Sequence, residues 1–453
     1  MKKREFLAMG GAVPLVLAGC GGDSTGSAPV RLVNASVGYA NLGFMVESTQ
    51  ATSADVAYGS ASPFETVQAG AVSMSLTQAG TTINTINRTL NKDSRYSLIA
   101  FGYKDELGSL LLTESTVTPD TGKANVGVLN TSVDVGLVDV YLTTTPAGDL
   151  GTGLLVASAA KAGQLSSALA VTPLASGGKY YITVIAHNTL AGNATPDVRF
   201  QSTSDQGFTV AALDTVTIII TPGVSGTLAN VIVLTQGTGS TSGAVSFQNS
   251  TARLRVVTAV PDGTAVNVAG LLNASDVTGP AKTGYAHVAV GAPPAITFNS
   301  TPITLDTTKS PRAALAAGGD YTLAIYANGG TGTAVLFQDD NTTPLGSTGV
   351  KFSLLNLAYD NTGLVMHMTV NSKAASPSSV KFASEPVPTE VAVPQNLQAV
   401  LTVYDSAEAI FSPPQQPYTA GSIFTQVIVS VDTTTTPPKV RQFMIDAADV
   451  VVS

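Results

Sequence analysis

The sequence predicts an all-β chain: a tandem array of antiparallel β-sandwich domains. Three observations carry that expectation. Short apolar runs separated by Gly, Pro, Asn and Asp recur along nearly the whole length, which is the punctuation of strands and turns. One stretch, residues 30–46, reads V-R-L-V-N-A-S-V-G-Y-A-N-L-G-F-M-V, and close relatives of it begin at Ala124, Ala252 and Val350. No amphipathic helix of useful length is written anywhere. Residues 157–170 have some helical spacing, but Gly163 interrupts it, so a loop or one short helical turn is expected there.

The chain has 453 residues. Four repeats of about a hundred residues suit the size of an immunoglobulin-like sandwich. The expected boundaries are 30–118, 123–237, 244–348 and 350–453, after residues 1–19 and a tether at 20–29. Each repeat opens with what reads as a hairpin: an apolar strand, a short polar turn such as Asn34-Ala35-Ser36, and a second apolar strand.

In repeat 1, strands are expected at 65–67, 71–76, 83–90, 97–101 and 110–116. In repeat 2 they are expected at 180–186, 216–220 and 229–234, with an insert-like loop at 188–196 and a Gly/Ser/Thr linker at 238–242. In repeat 3, Ala317-Gly318-Gly319-Asp320 feeds a strand at 321–326, and 334–338 closes the unit. In repeat 4, strands are expected at 399–404, 423–431 and 440–445. A Gly recurs before the late strand of the repeats because Gly adopts the positive φ that a tight turn requires.

Charged residues make up 11% of the chain, against about 25% in an average soluble protein. The polar surface must therefore come largely from Thr, Ser, Asn and Gln, which suits exposed strands. The formal net charge is −8; Lys2, Lys3, Arg4 and Glu5 give residues 1–19 a net +2, and removing it leaves −10. An acidic balance without basic clusters argues against nucleic acid as a partner.

The first twenty residues carry the clearest functional signal. A basic start is followed by a short apolar stretch at 6–18 and then by Leu17-Ala18-Gly19-Cys20. This resembles the signal peptide and lipobox of a bacterial lipoprotein. The resemblance implies cleavage before Cys20, diacylglycerol on its sulfur and an acyl chain on the new N-terminus, with no other cofactor. Two or more acyl chains give durable membrane anchoring where one gives marginal binding. Cys20 is the single cysteine, so no disulfide can form within the chain. A plain secretory peptide and a buried N-terminal helix are the competing readings; the Gly/Ser-rich stretch 21–28 is a poor helix cap and disfavours the second. Lys3-Arg4-Glu5-Phe6-Leu7 resembles a twin-arginine export signal with Lys in the first position. Gly21, where retention signals carry Asp, implies outer-membrane sorting in a Gram-negative host.

The repeats themselves resemble the bacterial domain-of-unknown-function family 4397, whose members are sandwich-like repeats of secreted or surface proteins. The resemblance rests on Val33-Asn34-Ala35-Ser36, on Val138-Asp139-Val140-Tyr141 and on Gly318-Gly319-Asp320-Tyr321. Repeat 4 departs from it, with Leu357-Ala358-Tyr359 after Asn356. The motifs imply a fold and a location, not an activity.

Candidate chemistry is sparse. His187, His287 and His367 fall at non-equivalent places in three repeats, so a shared metal site is not expected. Asp339-Asp340-Asn341 looks like a fragment of a calcium loop but lacks the spaced ligands, and reads as a turn after the strand ending at Gln338. Glu385, Glu390 and Asp405 are lone carboxylates, and the sequence pairs none of them. No nucleophile elbow, phosphate loop or dinucleotide motif is present.

The expectation is therefore a membrane-anchored, non-catalytic envelope protein that binds a glycan or an envelope protein through loops such as 188–196 and 372–388. A structural spacer is the alternative, and a carbohydrate-active hydrolase comes third.

Overall fold

A computed structural model describes residues 26–446, apart from 48, 51–53, 115–116, 191–195, 237–242, 272–278, 329, 345–348, 371–372, 375–379, 393–396, 404–408, 412–419, 433 and 436–438. The chain is all-β, and its strands form tandem immunoglobulin-like sandwiches, each of two facing sheets. In the first sandwich one sheet runs in the order Glu65–Gln68, Ser27–Ala35, Tyr96–Phe101, Gly108–Thr113. The facing sheet runs Thr49–Gln50, Asn41–Val46, Gly70–Gln78, Thr81–Leu90. The apolar core between them holds Leu32, Leu42, Phe44, Met74 and Leu98, all fully buried.

The opening motif is not a hairpin. Ser27–Ala35 and Asn41–Val46 lie in different sheets, so residues 36–40 form an arch over the end of the core. The reason is the Asn side chain. Asn34 is fully buried; its Nδ2 donates to the carbonyls of Tyr39 and Val56, both at 3.0 Å, and its Oδ1 accepts from Ser36 N. One amide thus satisfies three backbone groups that an arch leaves without ladder partners. Asn130 does the same with Gly136, Ala160 and Ser132, and Asn356 with Leu364, Val380 and Ala358. In the third copy Thr258 Oγ1 does part of this work, bonding Gly279 O and accepting from Ala281 N.

Freed from a hairpin, each opening strand pairs in parallel with the late strand of its own repeat. Val30 lies beside Tyr96, Asn125 beside Thr215, Arg253 beside Asp320, and Lys351 beside Ile423. The remaining ladders are antiparallel. The late strands read as unbroken apolar runs because both of their faces are covered. Tyr96–Phe101 is buried at every position.

What covers the second face is another sandwich. Val33, Ile99, Phe101 and Leu112 of the first pack on Leu129, Ile219, Ile232 and Leu234 of the second. Val257, Ala324, Tyr326 and Phe337 of the third pack on Leu355, Val427, Val429 and Ile445 of the fourth. The chain accordingly divides into two compact units of two sandwiches each: residues 1–223 with 229–249, and Val224–Leu228 with Ser250–Ser453.

Two further expectations are corrected. Residues 154–160 form a strand, Leu154–Ala160, paired with Val138–Thr143; small residues let it bulge, with Ala159 at φ +50°. The strand Gly243–Phe247 extends the second sandwich by pairing with Ala229–Gln236, so the third sandwich begins at Thr251 rather than at 244. The linker 238–242 lies outside the described residues.

Candidate functional site

Within the first unit, the arches of the two sandwiches and the loop 101–108 enclose a cleft of about 390 Å³. Local chemistry fixes that loop. Ser36 Oγ donates to Gly102 O at 2.7 Å, and Asn84 Nδ2 donates to Leu107 O at 2.9 Å. Gly102 sits at φ +106°, and a Cβ there would lie 2.5 Å from Glu106 O, so only glycine fits. Tyr39, almost fully buried, accepts through its hydroxyl from Asp105 N at 3.1 Å. Tyr103 of the first sandwich donates its hydroxyl to Asp134 Oδ2 of the second at 2.9 Å.

The cleft's apolar lining is Phe101, Leu107, Val133 and Pro222. Its polar lining is Asn84, Asp105, Glu106, Thr131, Ser132 and Asp134, of which Thr131 and Ser132 are buried. Among the described residues that line it there is no His, Cys, Lys or Arg. Such a surface can accept hydrogen bonds from hydroxyls and cover an apolar face.

The structure scatters the residues that the sequence singled out. Leu17, Ala18, Gly19 and Cys20 lie outside the described residues. His187 follows the strand Tyr181–Ala186, and its Nδ1 is 2.8 Å from Asp139 Oδ1. Asp139 also accepts from Ser158 Oγ and Ala159 N, so its carboxylate pins the bulge at Ala159. Burial pushes the Asp139 carboxyl up, but the bonds from Ala159 N, His187 and Ser158 outweigh it and hold it below the usual range. His287 lies on the strand Ala286–Ala289, 3.5 Å from Thr251 Oγ1. His367 lies on Leu364–Val370, where burial lowers its pKa. The three histidines are not brought together, and among the described residues no group of three or more His, Cys, Asp or Glu is placed to hold a metal ion.

The run Asp339-Asp340-Asn341 is divided among separate tasks. Asp339, the last residue of its strand, accepts from Tyr285 Oη at 2.6 Å and Thr322 Oγ1 at 2.7 Å, and lies 3.2 Å from Arg255 Nη2. Asp340 pairs with Lys351 Nζ at 3.1 Å, and Asn341 Nδ2 donates to Asp320 at 2.7 Å. Glu385 lines a second cleft of about 390 Å³, inside the second unit, together with Asp339, Asp340 and Arg255. These carboxylates share a cavity, yet Asp339 and Asp340 are committed to the cations and hydroxyls named above. Glu390 lies on the strand Thr389–Ala392, opposite Lys351. Asp405 lies outside the described residues, as do 191–195 of the loop 188–196 and, of 372–388, residues 372 and 375–379.

What sequence reasoning missed is a buried charge network in alternate sandwiches. Arg31, about 1% exposed, donates to Ser97 Oγ at 2.8 Å and to Glu114 at 2.6 Å. Phe64 covers both Arg31 and Arg95. In the third sandwich Arg255 donates to Thr322 Oγ1 and pairs with Asp339, Arg253 makes a two-pronged pair with Asp320, and Tyr285 covers both arginines. The signal was present: V-R-L-V and R-L-R set arginine inside apolar strands, where a charge needs a partner.

Comparison with known proteins gives one family. The model described as "Domain of unknown function (DUF4397)" matches residues 28–141, which take in the first sandwich and reach into the second strand of the next. No curated protein matches the chain. Among solved structures, the product complex of a multi-modular glycogen-degrading pneumococcal virulence factor, SpuA, is 9% identical with a TM-score of 0.17; the match covers 85% of this chain and 38% of that one. The Bacillus anthracis TIE protein is 11% identical with a TM-score of 0.16, over 89% of this chain and 67% of that one. Likenesses at these TM-scores carry no argument about activity.

Proposed function

We propose, for a chain whose residues 28–141 belong to the DUF4397 family, a non-catalytic binding module of the bacterial cell envelope. It is held at the membrane by lipid on Cys20 and takes a glycan in the cleft of its first unit. The observation that carries this reading is the cleft itself: carboxylate, amide and hydroxyl groups line it beside apolar side chains, and no histidine, cysteine or cation lines it among the described residues. Carboxylate and amide oxygens accept from sugar hydroxyls, while apolar side chains such as Phe101, Leu107 and Val133 suit the C–H face of a pyranose ring. A spacer or assembly role is the second reading, and the sheet-on-sheet packing within each unit favours it.

The test is a glycan array probed with the wild-type chain and with Tyr103→Ala and Asp134→Ala. A retained envelope glycan that both variants bind at least about tenfold more weakly supports the module. Retention of no glycan by the wild type moves the reading to the spacer. Anchoring is tested separately: Cys20→Ala should leave the membrane fraction, and a variant that stays wholly in that fraction refutes the lipid anchor.

A further inference from the structure

Sheet edges show where a β protein can accept another strand. The longest edge strand among the described residues is Thr81–Leu90, with ten residues at the margin of its sheet. The next in length are each protected. Thr331–Asp339 is overlaid by the segment around Leu305, with Asp306 N bonded to Ala334 O and Ser310 Oγ accepting from Leu336 N. Lys439–Asp446 carries charges, and its Met444 carbonyl accepts from Lys282 Nζ. Leu154–Ala160 is bulged, with Ala159 at φ +50°.

Thr81–Leu90 has only a one-residue shift at Ile83 and one exposed cation, Arg88, on its edge. That shift leaves Asn84–Leu90 in unbroken register with Leu76–Gly70. The stretch carries a single charge, Arg88, and no proline.

The outward-facing groups follow from the ladder. Ser73 directs its N–H and C=O to Glu47 on the far side of its strand. Ser73 is opposite Asn87, so that pair exchanges no bonds and the N–H and C=O of Asn87 point away from the sheet. By alternation those of Thr85 and Thr89 do too. The Asn87 carbonyl accepts 2.9 Å from Arg88 Nη1, an exposed side chain free to swing aside.

We infer that this edge pairs with the same edge of a second copy of the chain, antiparallel, on a two-fold axis at Asn87. The sequence is self-complementary about that point. Asn87 meets Asn87 of the partner, and Thr85 meets its Thr89, giving about six backbone hydrogen bonds over three pairs. Facing threonines on one face of a sheet stabilise a pair. The one charge, Arg88, falls opposite Ile86 and not opposite another Arg88, so two copies of an acidic chain meet along an edge that does not repel itself. Closed two-fold dimers are also the commonest symmetric assembly.

The test uses the full-length chain in mild detergent, with mass read by sedimentation velocity. The wild type should show twice the monomer mass. Asn87→Lys sets two lysines face to face at an exposed site and should halve that mass, as should Asn87→Glu; mixing the two variants should restore it. Asn87→Cys should crosslink across the axis on oxidation, with the wild type, whose one cysteine is Cys20, as control. A wild type of single mass overturns the proposal, and so does a doubled mass that persists in Asn87→Lys while Asn87→Cys fails to crosslink.

Discussion

The first and third sandwiches put an arginine at the same place, next to the late strand and buried to nearly the same degree, but surround it differently. In the first, Arg31 and Arg95 share the one carboxylate of Glu114, and Arg95 stays about one-fifth exposed at 3.8 Å from it. In the third, Arg253 and Arg255 are both buried and each has its own carboxylate, Asp320 or Asp339. Charge balance follows burial: where a second guanidinium leaves water entirely, a second carboxylate goes with it. The pKa shifts run the same way. Burial, together with the repulsion of Arg95, lowers Arg31 although Glu114 opposes this. Burial acts on Arg255 as well, but Asp339 and its neighbours outweigh it and raise the group. In the second sandwich Gly127 takes the arginine's place beside Thr217, and Gln236, in the place of Glu114, donates its Nε2 to Thr217 Oγ1 at 2.8 Å without any charge.

The largest expected effect breaks this comparison directly. Arg255→Ala strands Asp339 in the interior and should destabilise the second unit by about 3–5 kcal/mol. Arg31→Ala should cost the first unit less, because Arg95 can close on Glu114. Gln236→Ala should cost about 1 kcal/mol. Hydrogen exchange followed by mass spectrometry on peptides from each unit separates the three, and equal losses would remove the distinction between the sandwiches.

A middle-sized effect tests the arches. Asn34→Ala and Asn130→Ala each orphan three buried backbone groups and should cost about 2 kcal/mol, against about 1 kcal/mol for Thr258→Val. Chemical denaturation of the three variants measures this; a Thr258 variant as damaged as the asparagine variants would mean that the amide is not what holds the arch.

The smallest effect concerns alkali. Burial and nearby Asp306 push the Tyr326 hydroxyl up to about 12 from the usual 10.0. A raised pKa in the folded state means that its contribution is full below pH 10 and is lost as pH rises towards 12. Tyr326→Phe should therefore flatten part of the loss of stability of the second unit in that window, and an unchanged pH profile would argue against the shift.

Much of the fold could be read from the chain. Unbroken apolar runs such as Thr215–Pro222 announce strands covered on both faces, and in the third and fourth sandwiches a glycine at positive φ, Gly318 or Gly421, marks the turn into the late strand; Asp93 and Leu213 take that conformation in the first and second. The arch was not legible. Two apolar runs around Asn-Ala-Ser look the same whether they share a sheet or cross between sheets, and only the three bonds of the amide decide it. Leu154–Ala160 was hidden for a related reason: its run of small residues has no strand alternation, and what shapes it, Asp139, lies elsewhere in the sequence. The cleft was invisible because no single repeat contains it; Tyr103 and Asp134 meet only once two sandwiches have packed.

That packing has a consequence for how the protein is made. Arg31 reaches the carbonyl of Thr235, 204 residues further along the chain. The sheet that emerges first during synthesis keeps an oily outer face until its neighbour arrives to cover it. A chain stalled after one repeat would present Val33, Ile99 and Phe101 to water and to every chaperone in reach. Duplications or deletions within this gene should accordingly be tolerated in pairs of repeats and selected against in singles.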